Sequence, residues 1–147
     1  MTRRELREHI FRELFTAEFY PDNEEERSEQ LKLYFTHVEG DDLDYPPESV
    51  SEEEQQEVFE KTQAVWNHLS EIDPLIEETS VGWPISRMNR TDLAILRLGV
   101  YELLYDDTIP PGVAINEAVI LARKFGGEDS YSFVNGILGR IHRERAE

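Results

Sequence analysis

Hydrophobic side chains recur at helical spacing along most of the chain. Behind Thr2 and Glu5, which form the pattern of a helix-starting capping box, apolar residues return every three to four positions until Pro21. A proline disfavours helix in the residue before it, so the first helix is predicted to end there. Asn23 begins a second helix with a similar capping signal. The apolar face of this second helix consists of Leu31, Tyr34, Phe35 and Val38.

Start and stop signals farther along predict five more helices. Pro74 suits the first position of the fourth helix, and Asn89 can cap the fifth. Apolar residues cover most of the circumference of the fifth helix, so it is expected to be central and buried. Because no stretch alternates with the period of two that marks a half-buried strand, the sequence predicts an all-α fold of about seven helices. These five helices are predicted over about 51–72, 74–79, 89–105, 110–126 and 130–143.

Length and cysteine content narrow the class of protein. The chain has 147 residues, enough for one self-sufficient core, and no cysteine. Disulfide scaffolds, thiolate metal sites and cysteine nucleophiles are therefore excluded. No apolar run reaches the 18 residues of a membrane span, and the start, MTRRELREHI, lacks the apolar stretch of a signal peptide. A soluble, cytoplasmic protein without membrane contacts is expected.

Charge is abundant and unevenly distributed. The 32 acidic residues outnumber the 15 lysines and arginines, which gives a formal charge of −17 and argues against broad, charge-driven nucleic-acid binding. Residues 39–57 hold nine acidic and no basic side chains, and the part from 39 to 50 is predicted to be a solvated loop. The cations gather instead near both ends, so a local RNA contact stays possible. They include Arg3, Arg4, Arg7 and Arg12, and then Arg123, Lys124, Arg140, Arg143 and Arg145.

Catalytic chemistry is not indicated by any motif. The four histidines are scattered without the spacing of metal ligands, and the glycines form neither a P-loop nor a dinucleotide fingerprint. Acidic runs beside proline are typical of solvated surfaces rather than of acid–base pairs. The sequence therefore predicts a binding protein and not an enzyme, with no cofactor and no metal. These histidines are His9, His37, His68 and His142.

Residues 83–138 carry the most informative pattern. In order, they contain Arg87-Met88, the runs 92–102 and 113–119, Phe125-Gly126, and the block Phe133-Val134-Asn135-Gly136. This order and spacing resembles the NusB family of small all-α bacterial transcription antitermination factors. The N-terminal run Arg3-Arg4-Glu5-Leu6-Arg7-Glu8 is similar to the family's arginine-rich first helix. Between 20 and 82 only the helical pattern agrees.

The resemblance implies a fold and a function. It implies one domain over 1–147, made of two co-packed three-helix-like lobes at about 2–80 and 83–145. It also implies recognition of boxA-type single-stranded RNA, jointly with the ribosomal protein called NusE. That complex joins the elongating RNA polymerase and other Nus factors, and it opposes premature termination, notably in ribosomal RNA operons.

Site residues follow from the resemblance by position. Arg3, Arg4 and Arg7 would hold RNA phosphates. The residues expected to border the RNA are Phe125, Asp129 and Phe133, and those expected to face the ribosomal protein are Phe15 and Asp92. Departures from the family pattern predict a lower RNA affinity, because each lost cation removes a phosphate contact. These departures are Glu5, Gly112 and Ser132, at positions that are basic in some members.

Other interpretations stay open at this point. Phe125, Tyr131 and Phe133 can be core residues as well as platforms for bases, and Asn116 and Asn135 can be internal hydrogen-bonding groups. A stand-alone RNA-docking module is one alternative, like the NusB-like domain of some RNA cytosine methyltransferases. No catalytic domain is expected, since few residues follow the last predicted helix. A second alternative is a helical interaction protein that binds basic partners through its acidic surface.

Overall fold

The computed structural model describes residues 1–37 and 50–145. Within these ranges the secondary structure consists of α-helices and one short 3-10 helix, Ile85–Arg87, without β-strands, which confirms the predicted all-α class. The predicted acidic loop at 39–50 lies outside the described residues except for Val50. The α-helices are α1 (Arg3–Ala17), α2 (Glu24–Lys32), α3 (Tyr34–His37), α4 (Glu52–Asn67), α5 (Leu69–Thr79), α6 (Arg90–Tyr105), α7 (Pro111–Phe125) and α8 (Ser130–Arg145).

The chain divides into two compact units, Met1–Ala64 and Val65–Glu147, and the boundary between them falls inside α4. In the first unit, α1 packs against α2. In the second unit, α6 packs against α5, α7 and α8. The lobes implied by the resemblance, about 2–80 and 83–145, stay a prediction. Among the described residues, no helix combines the length and the apolar composition that crossing a membrane requires.

Local capping signals in the sequence correspond to real hydrogen bonds. The Glu5 amide donates to the Thr2 hydroxyl at 3.1 Å, and the Thr2 amide donates to the Glu5 carboxylate at 3.0 Å. Ser51 and Glu54 make the same reciprocal pair at the start of α4, at 3.0 and 3.1 Å. The Asn23 side chain accepts from an amide of α2. The predicted starts of α1, α2 and α4 are therefore confirmed.

Three predicted helix boundaries are wrong. The second predicted helix is divided at Leu33 into α2 and α3. The third ends at Asn67 rather than at residue 72, because the His68 amide donates to the Val65 carbonyl, only three residues back, and tightens the last turn. Consequently α5 begins before Pro74, which lies inside this helix. As the sixth residue of α5, Pro74 lacks the amide that would donate to the carbonyl four residues earlier, and its ring crowds that carbonyl.

Helix α6 forms the centre of the second unit, as predicted. Side chains are buried around most of its circumference, including Leu96, which is fully buried. Close to its middle, Gly99 lies against α7 and α8: a Cβ atom there would be 2.7 Å from Leu138 Cδ1 and 3.5 Å from Ala118 Cβ. The absence of a side chain at Gly99 thus allows α6 to approach both neighbours.

A two-point ion pair joins α5 to α6. The Arg97 guanidinium donates to both Asp73 carboxylate oxygens, at 3.0 and 2.8 Å, and only 7% of the Arg97 side chain is exposed. The guanidinium carbon also lies 5.6 Å from the centre of the Trp66 ring. Because the pair is bidentate and largely sheltered from water, it fixes the position of α5 on α6 more strongly than a surface pair would.

Truncation of Leu96 tests the central role of α6. Leu96→Ala is expected to lower the free energy of unfolding by about 2–5 kcal/mol, since it leaves a cavity in a packed core. Val113→Ala, at an exposed apolar position on α7, is the matched control and should change stability by about 0.5 kcal/mol or less. Chemical denaturation monitored by circular dichroism measures both values. A loss below about 1 kcal/mol for Leu96→Ala would contradict this placement of the helix.

Candidate nucleic-acid interface

The first turn of α1 presents two arginines to solvent. Arg3 and Arg4 are both exposed. The Arg3 guanidinium donates to the Glu57 carboxylate on α4 at 2.9 Å, yet 67% of the Arg3 side chain stays exposed. An exposed pair of this kind is weak and exchanges readily with another anion. Both arginines are therefore placed where they can meet a phosphate.

Arg7 is in a different environment from the other two predicted phosphate ligands. Only 8% of Arg7 is exposed, and the residues from Leu6 to Phe11 are all buried. The first turn of α1 is thus open to solvent, whereas the following turn is enclosed. A phosphate contact at Arg7 would require this side chain to emerge, so of the three predicted phosphate ligands only Arg3 and Arg4 are exposed.

Farther along α1, ionisable side chains are buried as well. His9 is buried, with its Nδ1 atom 3.0 Å from the Tyr34 hydroxyl. Burial, together with the nearby Arg12 charge, lowers the pKa of His9 to about 4. Glu13 is fully buried, and neither carboxyl oxygen has a hydrogen-bond partner. Burial raises the pKa of Glu13 to about 9, so both groups are neutral near pH 7.

The proton on Glu13 makes stability depend on pH. A carboxyl group whose pKa rises from 4.5 to about 9 on folding makes its full contribution to stability below pH 4.5. That contribution declines steadily as the pH rises above 4.5, because the unfolded state ionises first, and the decline ends as the pH passes the folded pKa of about 9. The depressed pKa of His9 acts in the opposite direction, since its contribution is present above 6.5 and is lost as the pH falls toward 4. Above pH 6.5 the contribution of His9 is constant, so of these two groups only Glu13 changes the free energy of unfolding as the pH rises.

Replacement by glutamine tests this linkage. Between about pH 6.5 and 8.5, the wild-type protein should lose about 3 kcal/mol of unfolding free energy relative to Glu13→Gln, at about 1.4 kcal/mol per pH unit. Glu29→Gln, at an exposed position on α2, should follow the wild type. Urea denaturation at several pH values gives the comparison. Parallel pH profiles for wild type and Glu13→Gln would show that Glu13 is ionised in the folded protein.

The residues predicted to face the ribosomal protein are both partly exposed. Phe15, near the end of α1, packs edge to face on Phe19 with the ring centres 5.6 Å apart. Phe19 is 59% exposed, so the two rings form an apolar patch that the sequence prediction missed. Asp92 lies in the first turn of α6, and its amide meets the Asn89 side chain at 3.4 Å. A carboxylate at a helix start is stabilised by the helix dipole.

Around the turn between α7 and α8, the structure brings together the other three predicted RNA residues. Phe125 ends α7, Asp129 directly precedes α8, and Phe133 lies in the first turn of α8. Asp129 is exposed and the two rings are half-buried, so each retains accessible surface. Lys124 adds a cation 5.5 Å from the centre of the Phe125 ring. This turn therefore offers rings and charge to a ligand.

Gly126 sets the path of that turn. Its backbone is extended, with φ at −88°, so the predicted helix-ending glycine is not needed for a left-handed conformation. A Cβ atom there would instead lie 2.6 Å from the Ala122 carbonyl oxygen and would clash with the Ser130 side chain. The Ser130 hydroxyl also accepts a hydrogen bond from the Gly127 amide at 2.9 Å. The closeness of these neighbouring atoms, and not a left-handed backbone conformation, explains why residue 126 is a glycine.

A further pair lies across α7 and α8. The Arg123 guanidinium carbon is 4.2 Å from the centre of the Tyr131 ring, and 40% of Tyr131 is exposed. These residues border an open groove. A Cβ atom added at Gly112, on its border, or at Gly136 on α8 would meet nothing within 4 Å. The sequence shows the cation and the ring, but gives no signal that two helices place them in contact.

Comparisons with known proteins identify relatives of similar sequence and similar fold. The sequence model of the NusB family matches residues 4–143. A transcription antitermination protein NusB from Agathobacter rectalis is 44% identical over 141 residues, which cover 96% of this chain and 99% of that relative. A solved structure of T. maritima NusB is 33% identical, with a TM-score of 0.80, over 100% of this chain and 94% of that one.

A chain from the crystal structure of the antitermination factors NusB and NusE in complex with double-stranded RNA gives a TM-score of 0.73 at 23% identity. It covers 98% of this chain and 99% of that one, and at this identity the likeness concerns the fold alone. The family match and the A. rectalis relative both extend over nearly all of the sequence, and the resemblance seen in residues 83–138 is confirmed. This protein belongs to the NusB family.

Proposed function

We propose that this protein is a transcription antitermination factor that binds boxA-type RNA together with a NusE-type ribosomal protein. The assembly then joins the elongating RNA polymerase and other Nus factors, notably on ribosomal RNA operons. Family membership over residues 4–143 supports the proposal, as do relatives named transcription antitermination protein NusB. The observation that carries the RNA part is the exposure of Arg3 and Arg4 on a chain of charge −17.

Electrostatics explains why RNA binding is shared with a protein partner. A net charge of −17 repels RNA at long range, and salt screens the few phosphate contacts that form. A basic ribosomal protein lowers this repulsion and adds contacts of its own. RNA binding is accordingly weak for the isolated protein and tight for the complex. Glu5, Gly112 and Ser132, which supply no cation, increase this dependence on the partner.

Each group of residues has a role in the proposal. Arg3 and Arg4 hold phosphates, and Arg7 joins them only if its buried side chain emerges. The rings and carboxylate of the α7–α8 turn contact bases, since flat side chains and hydrogen-bonding groups recognise single-stranded RNA. The partly exposed Phe15 and Asp92 face the ribosomal protein. The turn residues concerned are Phe125, Asp129 and Phe133.

Binding, and not catalysis, is the activity proposed. The two units, Met1–Ala64 and Val65–Glu147, act as one RNA- and protein-binding domain in the cytoplasm, where transcription takes place. A helical interaction module without antitermination activity is the alternative, and the acidic surface favours it. RNA binding separates the two functions, because the alternative does not need the arginines of α1.

Charge reversal on α1 tests the RNA contact. The double variant Arg3→Glu/Arg4→Glu should lower the affinity of the protein–NusE complex for boxA RNA by at least about tenfold. It should also reduce the slope of log affinity against log salt by about 1.4, as two phosphate contacts are lost. The matched control, Arg143→Glu/Arg145→Glu, makes the same charge change at exposed positions of α8. Equal losses in both variants would mean that only net charge matters and that α1 is not the RNA contact.

Charge reversal at Asp92 tests the protein contact. Asp92→Lys should weaken binding of the ribosomal protein by about tenfold, because a carboxylate that attracts a basic partner becomes a cation that repels it. RNA binding should decline only through the weaker protein pair. Calorimetry without RNA isolates the effect, and Asp107→Lys, at an exposed position after α6, is the control. Unchanged affinity for the ribosomal protein would remove Asp92 from that interface.

A further inference from the structure

The groove between α7 and α8 is large enough for a small planar ligand. Its volume is about 380 Å³, which lies within the range of about 300–1,000 Å³ typical of small-molecule sites. Two half-buried apolar side chains contribute to it, and most of the other lining residues are exposed. The groove is lined by Gly112, Ile115, Asn116, Val119, Arg123, Tyr131, Ser132 and Asn135.

Arg123 and Tyr131 give this groove a stacking surface. The guanidinium lies over the phenol ring with its carbon 4.2 Å from the ring centre, so two flat groups are held together at the groove. Planar cations and aromatic rings are the side chains on which unpaired bases stack. Since 40% of Tyr131 is exposed, ring surface stays available beyond the contact with Arg123.

Hydrogen-bonding groups and charge at the groove suit the same kind of ligand. Asn116 and Asn135 expose carboxamides, which both donate and accept hydrogen bonds, as the edge of a base requires. Arg123 is the only charged residue among those that line the groove. The protein as a whole has a charge of −17, but the residues that line this groove include a guanidinium and no carboxylate. The groove therefore favours binding of an anionic polymer such as RNA over binding of a basic protein.

This groove lies on a different face from the rings already assigned to RNA. On an α-helix, two positions are about 200° apart around the axis. Phe125 is two positions from Arg123 on α7, and Phe133 is two positions from both Tyr131 and Asn135 on α8. The rings of Phe125 and Phe133 therefore point away from the groove. The residues proposed to contact RNA or the ribosomal protein do not line it, but Gly112 and Ser132 do, at two positions where the family resemblance implies that some members carry a cation.

We infer that the α7–α8 groove binds one unstacked base of single-stranded RNA. The base stacks on the Arg123–Tyr131 pair, and the Asn116 and Asn135 carboxamides bond to its edge. The inference rests on the proposed RNA-binding function and adds a second, separate contact to it. RNA held at the α7–α8 turn would thus have one further nucleotide fixed in this groove.

An abasic scan tests the inference. Labelled single-stranded boxA RNA of about 12 nucleotides is prepared with the base removed at one position at a time, and its affinity for the protein–NusE complex is measured by fluorescence anisotropy. With the wild type, removal of the base that occupies the groove should cost about five- to one-hundred-fold in affinity through lost stacking, and the loss at this position is the one that Tyr131→Ala should abolish. With Tyr131→Ala, intact RNA should bind more weakly by a similar factor. Base removal at that position should then have little further effect, because the two changes remove the same contact.

Controls separate stacking from a general loss of structure. Tyr131→Phe keeps the ring and should bind within about twofold of the wild type. Trp83→Ala removes another exposed aromatic side chain of the second unit and should leave the whole scan unchanged. Gly112→Lys places a cation at the groove without a clash and should raise both the affinity and its salt dependence. Melting curves confirm that each variant is folded.

Several results would overturn the inference. If Arg3→Glu/Arg4→Glu weakens RNA binding while Tyr131→Ala leaves both affinity and scan unchanged, the groove does not bind RNA, although the proposed function stands. If Tyr131→Ala weakens binding of the ribosomal protein in the absence of RNA, the groove is a protein contact instead. If the wild-type complex does not bind boxA RNA, both the proposed function and the groove assignment are wrong.

Discussion

At Gly99, the close packing of α6 against α7 and α8 depends on the absence of a side chain. A Cβ atom there would lie 2.7 Å from Leu138 of α8, which would have to shift, and at contact distance from Ala118 of α7. Since protein cores pack as densely as organic crystals, this contact fixes how α7 and α8 lie on α6. The spacing between α7 and α8 then determines the shape of the groove on their exposed faces and the path of the turn that joins them.

The net charge of this protein is strongly negative, whereas the surfaces proposed to contact RNA carry positive side chains. Acidic residues outnumber basic ones by about two to one, yet the exposed first turn of α1 carries two arginines and the α7–α8 groove contains no carboxylate. In the proposed function, long-range repulsion and short-range attraction therefore act on the same RNA. An arrangement of this kind disfavours non-specific binding and makes recognition depend on a few short-range contacts and on a basic partner.

Features that depend on local chemistry could be predicted from the sequence. Thr2 with Glu5, and Ser51 with Glu54, specify helix starts because the bonding groups are three residues apart. Burial could not be predicted in the same way. Arg4 and Arg7 share a helix, and only tertiary packing makes one exposed and the other buried. The contact of Arg123 with Tyr131 likewise depends on how two helices cross. The proposed RNA and protein contacts themselves stay predictions.

The glycines near the groove have a consequence for how this surface can change over time. At Gly112 and Gly136 an added Cβ atom would meet no neighbouring atom within 4 Å, in contrast to Gly99, where it would press on the Leu138 side chain. Substitutions at these two positions therefore meet no steric obstacle, and they can charge or occlude the surface in single steps. The ligand preference of this face can accordingly change without a rearrangement of the helices beneath it.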